Sequence, residues 1–393
     1  MKRYLVIGGG SAGVAATQAI LERDKEARIL LFSKENVLPY SRPMLTKMPL
    51  KFINPAGYPL HDRAWYDARN VELRLGEEIV SLDSAAHEAR TANEVISYDK
   101  CVYAAGGYNF IPPFRGVEKG GVCDIRSVRD MERLKQLAYG KKEAVVIGGG
   151  AIGLETACEL VRYGLKATVL EALPMLMPRQ LDADTAEALR LQLSGHLEVH
   201  VGVTIEEIEG EGEATAVRLA DGRRFPCALV VISCGVRADI AIAKAAGIQC
   251  NRAVVVNERM ETSTPDVYAC GDCAEYNGLN YMLWSEAWAQ GLAAGANAAG
   301  GSETFGEADT TLVINTPFVS LFAYGDTGKG PGPYRVEARS ESIAGTYAVN
   351  PTFAQATERL FYLNDILVGA TILGNLTHMQ ALKKQIREAK SHA

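Results

Sequence analysis

Apolar residues in this chain fall into short uninterrupted runs separated by longer stretches of helical spacing. Runs at 4–7, 28–32 and 144–147 read as strands buried on both faces, which is the mark of a parallel sheet covered by helices. Helical patterns at 14–23, 127–139 and 282–299 lie between such runs. Shorter strands are expected at 71–75, 78–82, 87–91 and 100–104. Residues 199–231 alternate apolar and polar, with turn signals at 210–212 and 221–222, and predict antiparallel strands that close a second unit. From residue 304 the pattern changes again, to strand-like runs at 311–314, 319–324, 342–349 and 358–363, with a Gly/Pro loop at 325–333 and a basic helix ending at Lys390.

The run at 4–7 leads into Gly8, Gly10 and Gly13, a Gly-x-Gly-x-x-Gly turn opening a helix. Gly8 permits the tight turn, Gly10 admits a pyrophosphate without a Cβ in the way, and Gly13 brings the helix close to the strand. The free N–H groups at the helix start, Ser11 included, then face the anion. The pattern returns at Gly148, Gly150 and Gly153, again between strand and helix. Two copies in the same context predict two dinucleotide sites. After the first copy the usual ribose carboxylate is replaced by Ser33, with Glu35 two residues on, and the ribose role is shared between them. After the second copy Glu171 closes the strand, suited to the 2′- and 3′-hydroxyls of an NADH ribose. A 2′-phosphate would be repelled there, although Arg179 lies close behind in sequence.

Residues 38–47, reading Leu-Pro-Tyr-Ser-Arg-Pro-Met-Leu-Thr-Lys, and the stretches 98–106 (Tyr-Asp-Lys-Cys-Val-Tyr-Ala-Ala-Gly) and 264–275 (Thr-Pro-Asp-Val-Tyr-Ala-Cys-Gly-Asp-Cys-Ala-Glu) carry a resemblance. The chain resembles the FAD-dependent pyridine-nucleotide oxidoreductases, in the rubredoxin- and ferredoxin-reductase branch, and 367–375 is similar to that branch's C-terminal domain. The resemblance implies an α/β fold with two Rossmann-like domains: FAD on 1–111 and 232–303, NADH on 112–231, and an α+β domain on 304–393. It implies that residues 228–237 return the chain to the FAD domain. Arg42 would contact FAD, Lys47 would sit near flavin N5, Ile79 would meet the adenine through its backbone, Ala105 would offer a backbone contact, and Asp272 would accept from ribitol. Glu155 would face the flavin and pair with Lys47, keeping it protonated beside N5.

The cysteine pattern narrows the chemistry. Residues 33–56 contain no cysteine, where the family's disulfide reductases carry Cys-x4-Cys, and the family's C-terminal His-Pro pair is absent, since Met379 follows His378 and Ala393 follows His392. Without a thiol relay, electrons leave the flavin directly for a small rubredoxin- or ferredoxin-like carrier. Cys270 and Cys273 form a Cys-x-x-Cys with no second pair at metal spacing, so packing is the expected role and no metal site is read. Trp284 and Trp288 are expected in the core. Rival readings are an NADH oxidase or disulfide reductase, the flavoprotein subunit of a larger complex such as a nitrite reductase, and a redox-sensing flavoprotein.

At 393 residues, with 38 glycines, the chain is long enough for two or three domains, and a net charge of −6 argues against a nucleic-acid partner. No apolar run reaches the roughly 18 residues of a membrane span, and the first run ends too soon for a signal peptide. These features predict a cytoplasmic protein whose eight cysteines stay reduced, and a homodimer or a subunit of a larger complex is the expected assembly.

Overall fold

The computed structural model describes residues 1–306, 308–342 and 355–391. The chain packs as two units, each assembled from separate stretches: Met1–Leu45, Asn54–Tyr108 and Val236–Ala308 in the first, and Thr46–Ile53, Asn109–Gly235 and Asp309–Ala393 in the second.

The first unit is built on a parallel sheet with strand order Val267–Ala269, Lys100–Tyr103, Arg3–Ile7, Arg28–Ser33, Val71–Leu75. Tyr4 to Ile7 are all buried in the central strand, which explains an apolar run with no alternation. Helix Ser11–Arg23 packs against helix Trp284–Ala298 through small residues. A Cβ at Gly291 would stand 2.3 Å from the Ala12 carbonyl oxygen, and one at Gly295 would stand 2.1 Å from that of Ala16. So close a crossing leaves no room for indoles on that face. The tryptophans expected in the core lie outside it: Trp284 is 39% exposed and Trp288 half-buried, the two rings stacked at 5.6 Å.

The second unit repeats the arrangement, in the order Glu198–His200, Lys166–Leu170, Glu143–Ile147, Val230–Ile232, Val122–Asp124, all parallel. Strand Val230–Ile232 therefore belongs to this sheet, and the chain re-enters the first unit only at Val236, near the end of the stretch 228–237 expected to return it. It is buried throughout, and its partners are Val145–Ile147 on one side and Val122–Asp124 on the other. The alternating stretch folds as predicted into antiparallel strands Ile205–Glu209, Ala216–Leu219 and Arg224–Pro226. A five-stranded antiparallel sheet follows, ordered Leu312–Asn315, Ser320–Gly325, Ile366–Gly374, Gln355–Leu363, Tyr334–Ser342, with helix Met379–Ser391 against it. The strand expected at 342–349 lies, beyond Ser342, outside the described residues. The strand found just before it, Tyr334–Ser342, is exposed on both faces along nearly all its length, so it carries no hydrophobic alternation to read.

Candidate functional site

Both glycine turns have the same geometry. Gly8 and Gly148 take φ of +118° and +116°, and a Cβ on either would lie 2.1 or 2.2 Å from the carbonyl oxygen of Ala104 or Ser233. A Cβ on Gly13 or Gly153 would lie 1.9 or 2.1 Å from the Gly8 or Gly148 carbonyl oxygen. Those four glycines are demanded by the protein's own packing. Gly10 and Gly150 are not: each has φ of −81° in extended backbone, and a Cβ on either would meet nothing within 4 Å. Each stands at the N-cap of its helix, makes no side-chain cap, and has no acidic residue in the turn that follows. A glycine unneeded by the fold, in front of uncapped N–H groups, leaves a cradle that fits a pyrophosphate.

In the first unit, a Cβ on Gly9 would touch the side chain of Ser33, and in the second a Cβ on Gly149 would touch Glu171, so these two residues occupy equivalent places beneath their loops. Ser33 is buried, and its hydroxyl makes no hydrogen bond to a described residue. Glu35 is already engaged: the Tyr40 hydroxyl donates to Oε2 at 2.8 Å, and the Arg42 guanidinium pairs with Oε1. Arg42 also donates to the Tyr40 hydroxyl at 3.1 Å. Burial works against the Arg42 charge, but Tyr40 and Glu35, with Asp272 adding to them, outweigh it and raise its pKa. Asp272 follows strand Val267–Ala269 in a tight turn held by Gly271, whose N–H donates to the buried Gln290 side chain at 2.8 Å. Ile79 is buried, and its amide donates to no described residue. Ala105 precedes Gly106, whose carbonyl accepts from the Asp239 N–H at 2.9 Å.

In the second unit, Glu171 is oriented by the backbone, accepting from the Gly149 N–H at 2.5 Å and the Leu173 N–H at 2.8 Å. Arg179 is exposed and makes no hydrogen bond or ion pair to a described residue. Glu155, buried one turn into helix Ala151–Tyr163, accepts from the Thr46 hydroxyl rather than from Lys47. Lys47 is exposed, and its ammonium donates to the Val313 carbonyl at 3.3 Å. The expected ion pair between Lys47 and Glu155 is therefore not formed, because the adjacent threonine supplies the carboxylate's hydrogen bond. Sequence reading passed over Thr46, Tyr40 and Glu159. Glu159 falls one turn beyond Glu155 on the same helix face, is likewise buried, and accepts from the Leu50 N–H at 3.2 Å. That i,i+4 pair of acids inside an otherwise apolar stretch was the available signal.

Burial raises the pKa of Glu155; the Thr46 hydroxyl and the Lys47 charge act against the shift, and Glu159 adds to it. A carboxyl whose folded pKa exceeds its unfolded value binds more protons in the native state, so its contribution to stability is greatest below the unfolded pKa and declines as pH rises through the folded one. Glu155→Gln is thus expected to gain in Tm over the parent as pH rises above the ordinary carboxylate range. Calorimetry that shows a constant difference over that rise would remove the assignment.

The Cys-x-x-Cys thiols are withdrawn from chemistry. Cys270 and Cys273 are fully buried, Cys273 is pushed up to about 12 by burial, and its thiol donates to the Cys270 carbonyl at 3.2 Å. All eight cysteines are free.

Residues 2–291 match the model of the pyridine nucleotide-disulphide oxidoreductases. The chain belongs to this family. Among its relatives in the family, a nitrite reductase [NAD(P)H] of Bacillus subtilis is 33% identical over 72% of this chain, which spans 35% of the relative's length. Rubredoxin-NAD(+) reductase of Pseudomonas putida is 31% identical over 69% of this chain and 71% of its own. Among solved structures, the ferredoxin reductase for the CYP199A2 system of Rhodopseudomonas palustris superimposes with a TM-score of 0.85 at 27% identity, covering 95% of this chain and 91% of that one. Among the described residues, no helix is long and apolar enough to cross a membrane.

Proposed function

We propose that this chain is a flavoprotein reductase that takes reducing equivalents from NADH and delivers them to a small rubredoxin- or ferredoxin-like carrier. The observation that carries the reading is the pair of open cradles at Gly10 and Gly150, of which only the second has a carboxylate, Glu171, held by backbone N–H groups beneath its loop. FAD, when bound, supplies acceptance of a hydride and release of electrons one at a time. The chain's residues bind and orient. Gly8, Gly10, Ser11 and Gly13 receive the FAD pyrophosphate, Ser33 and Glu35 its ribose, and the Ile79 backbone its adenine. Arg42, Ala105 and Asp272 hold the rest of the cofactor. Gly148, Gly150 and Gly153 receive the NADH pyrophosphate. Lys47 brings positive charge to flavin N5, and Glu155, buried beside Thr46, is the acid that accompanies it.

The relatives named for rubredoxin and ferredoxin support the acceptor class, and the absence of an exposed thiol pair among the described residues supports direct transfer. Eight free cysteines also suit the reducing cytoplasm, where we place the protein. A second reading, the flavoprotein part of a nitrite-reducing assembly, is favoured by the nitrite reductase relative, nearly three times longer than the stretch this chain matches. Steady-state assays of the purified protein with rubredoxin, ferredoxin, oxygen, disulfide and nitrite separate these. Rapid NADH oxidation with an iron–sulfur or rubredoxin acceptor supports the first; slow turnover with all of them, with other chains co-purifying, supports the second.

Glu171→Ala is expected to raise the KM for NADH about tenfold, by loss of two charge-assisted hydrogen bonds to the ribose, and to leave kcat nearly unchanged. It also removes the carboxylate that repels a 2′-phosphate, so the exposed, unpaired Arg179 should narrow the preference for NADH over NADPH. An unaltered KM for NADH would take the ribose role from Glu171.

A further inference from the structure

The antiparallel sheet of the second unit holds a cluster that the proposed electron transfer does not use. Register sets Arg339 opposite Glu358, and Glu341 shares their face two residues along. His378 stands at the start of helix Met379–Ser391, where its carbonyl accepts from the Leu382 N–H at 3.0 Å. The imidazole Nδ1 of His378 lies 2.9 Å from a carboxylate oxygen of Glu341 and 2.9 Å from one of Glu358. Glu358 is 0% exposed, opposite Ile372 in the sheet and on the same strand face as buried Ala356 and Leu360. Its second oxygen accepts from Arg339 Nε at 2.6 Å. The buried carboxylate thus pairs with Arg339 through one oxygen, while its other oxygen and the Glu341 carboxylate converge on one imidazole nitrogen. Buried carboxylates persist when paired with a cation or bound to a metal.

We propose that Glu341, Glu358 and His378 bind one divalent transition-metal ion. The three ligand atoms lie within 4.8 Å of one another. Ligands at about 2.1 Å from an ion stand roughly 3.0–3.4 Å apart in octahedral or tetrahedral sites, so the two 2.9 Å separations need little adjustment. One imidazole with two carboxylates suits zinc or manganese, whereas calcium takes oxygen alone and copper(I) takes sulfur. Arg339, on the outer oxygen of Glu358, fixes which oxygen faces the ion. Glu341 lies on the exposed side and would close the site, with water completing the coordination.

The test uses the full chain with its flavin, stripped with EDTA and titrated by calorimetry with Mn²⁺, an ion with little affinity for thiols, and then with Zn²⁺. One saturable ion per chain is expected for each metal, weakened at least tenfold in His378→Ala and in Glu341→Gln. Both substitutions are at residues that are not fully buried, and thermal melts of the metal-free variants confirm that they fold. Mn²⁺ should raise the Tm of the parent and leave that of His378→Ala unchanged. Absence of saturable binding, or equal affinity in parent and both variants, would show a hydrogen-bonded network only and overturn the proposal.

Discussion

Replacing Gly10 by aspartate is expected to give a folded protein that purifies without flavin. The backbone there has φ of −81° and ψ of −177°, open to any residue, and a Cβ meets nothing within 4 Å, so the chain itself has no objection to a side chain. Aspartate is moreover a favoured N-cap, able to accept from the N–H groups that start helix Ser11–Arg23, and so should hold or raise the stability of the flavin-free form. Those same N–H groups are the ones a pyrophosphate would use. A carboxylate about 4 Å from a phosphate charge, at the effective dielectric of a protein surface, costs on the order of 4 kcal/mol, nearly a thousandfold in affinity. The measurement is flavin content and reconstitution, with the flavin-free parent as reference for stability. Gly8→Ala is the contrasting control: φ of +118° and an approach of 2.1 Å to the Ala104 carbonyl oxygen should disturb the fold itself. A Gly10→Asp protein with the parent's yellow colour would mean that the first loop does not hold the pyrophosphate.

The sequence carried this distinction only in part. All six motif glycines look alike as letters, and the geometry separates Gly8, Gly13, Gly148 and Gly153, which the packing requires, from Gly10 and Gly150, which it does not. Parallel strands were legible because burial on both faces removes polar positions altogether, as at 4–7 and 144–147. Tyr334–Ser342 was not, since a strand exposed on both faces obeys no hydrophobic period and is specified by its pairing with Gln355–Leu363. Which sheet a buried strand joins is likewise a matter of pairing, so Val230–Ile232 could be read as a strand but not assigned. The same limit governs side chains. Its place just past a strand end located Glu35, and resemblance located Arg42 and Glu155, but the hydroxyls that complete their hydrogen bonding, from Tyr40 and Thr46, are set by neighbours distant in sequence or by turn geometry. The tryptophans misled because their size argued for burial, while helix Trp284–Ala298 buries its glycines and alanines instead.

Lys47→Met is expected to slow flavin reduction by NADH roughly a hundredfold while leaving flavin content intact. Removing a preorganised cation from developing negative charge costs about 10²–10³ in rate. Methionine keeps much of the lysine's length and apolar stem, so the charge is the principal loss. The role does not need the Glu155 ion pair that the structure lacks. Lys47 is exposed, and its one hydrogen bond, 3.3 Å long to the Val313 carbonyl, is weak enough to give up for a stronger anionic partner. Glu155 is meanwhile satisfied by Thr46, so the substitution strands no carboxylate and should cost little stability. Stopped-flow measurement of the flavin signal under anaerobic conditions reads the step directly, before any acceptor is involved. Lys47→Arg, which retains the charge on a longer side chain, should stay within a few fold of the parent. If methionine matches the parent rate, positive charge at this position has no part in hydride transfer.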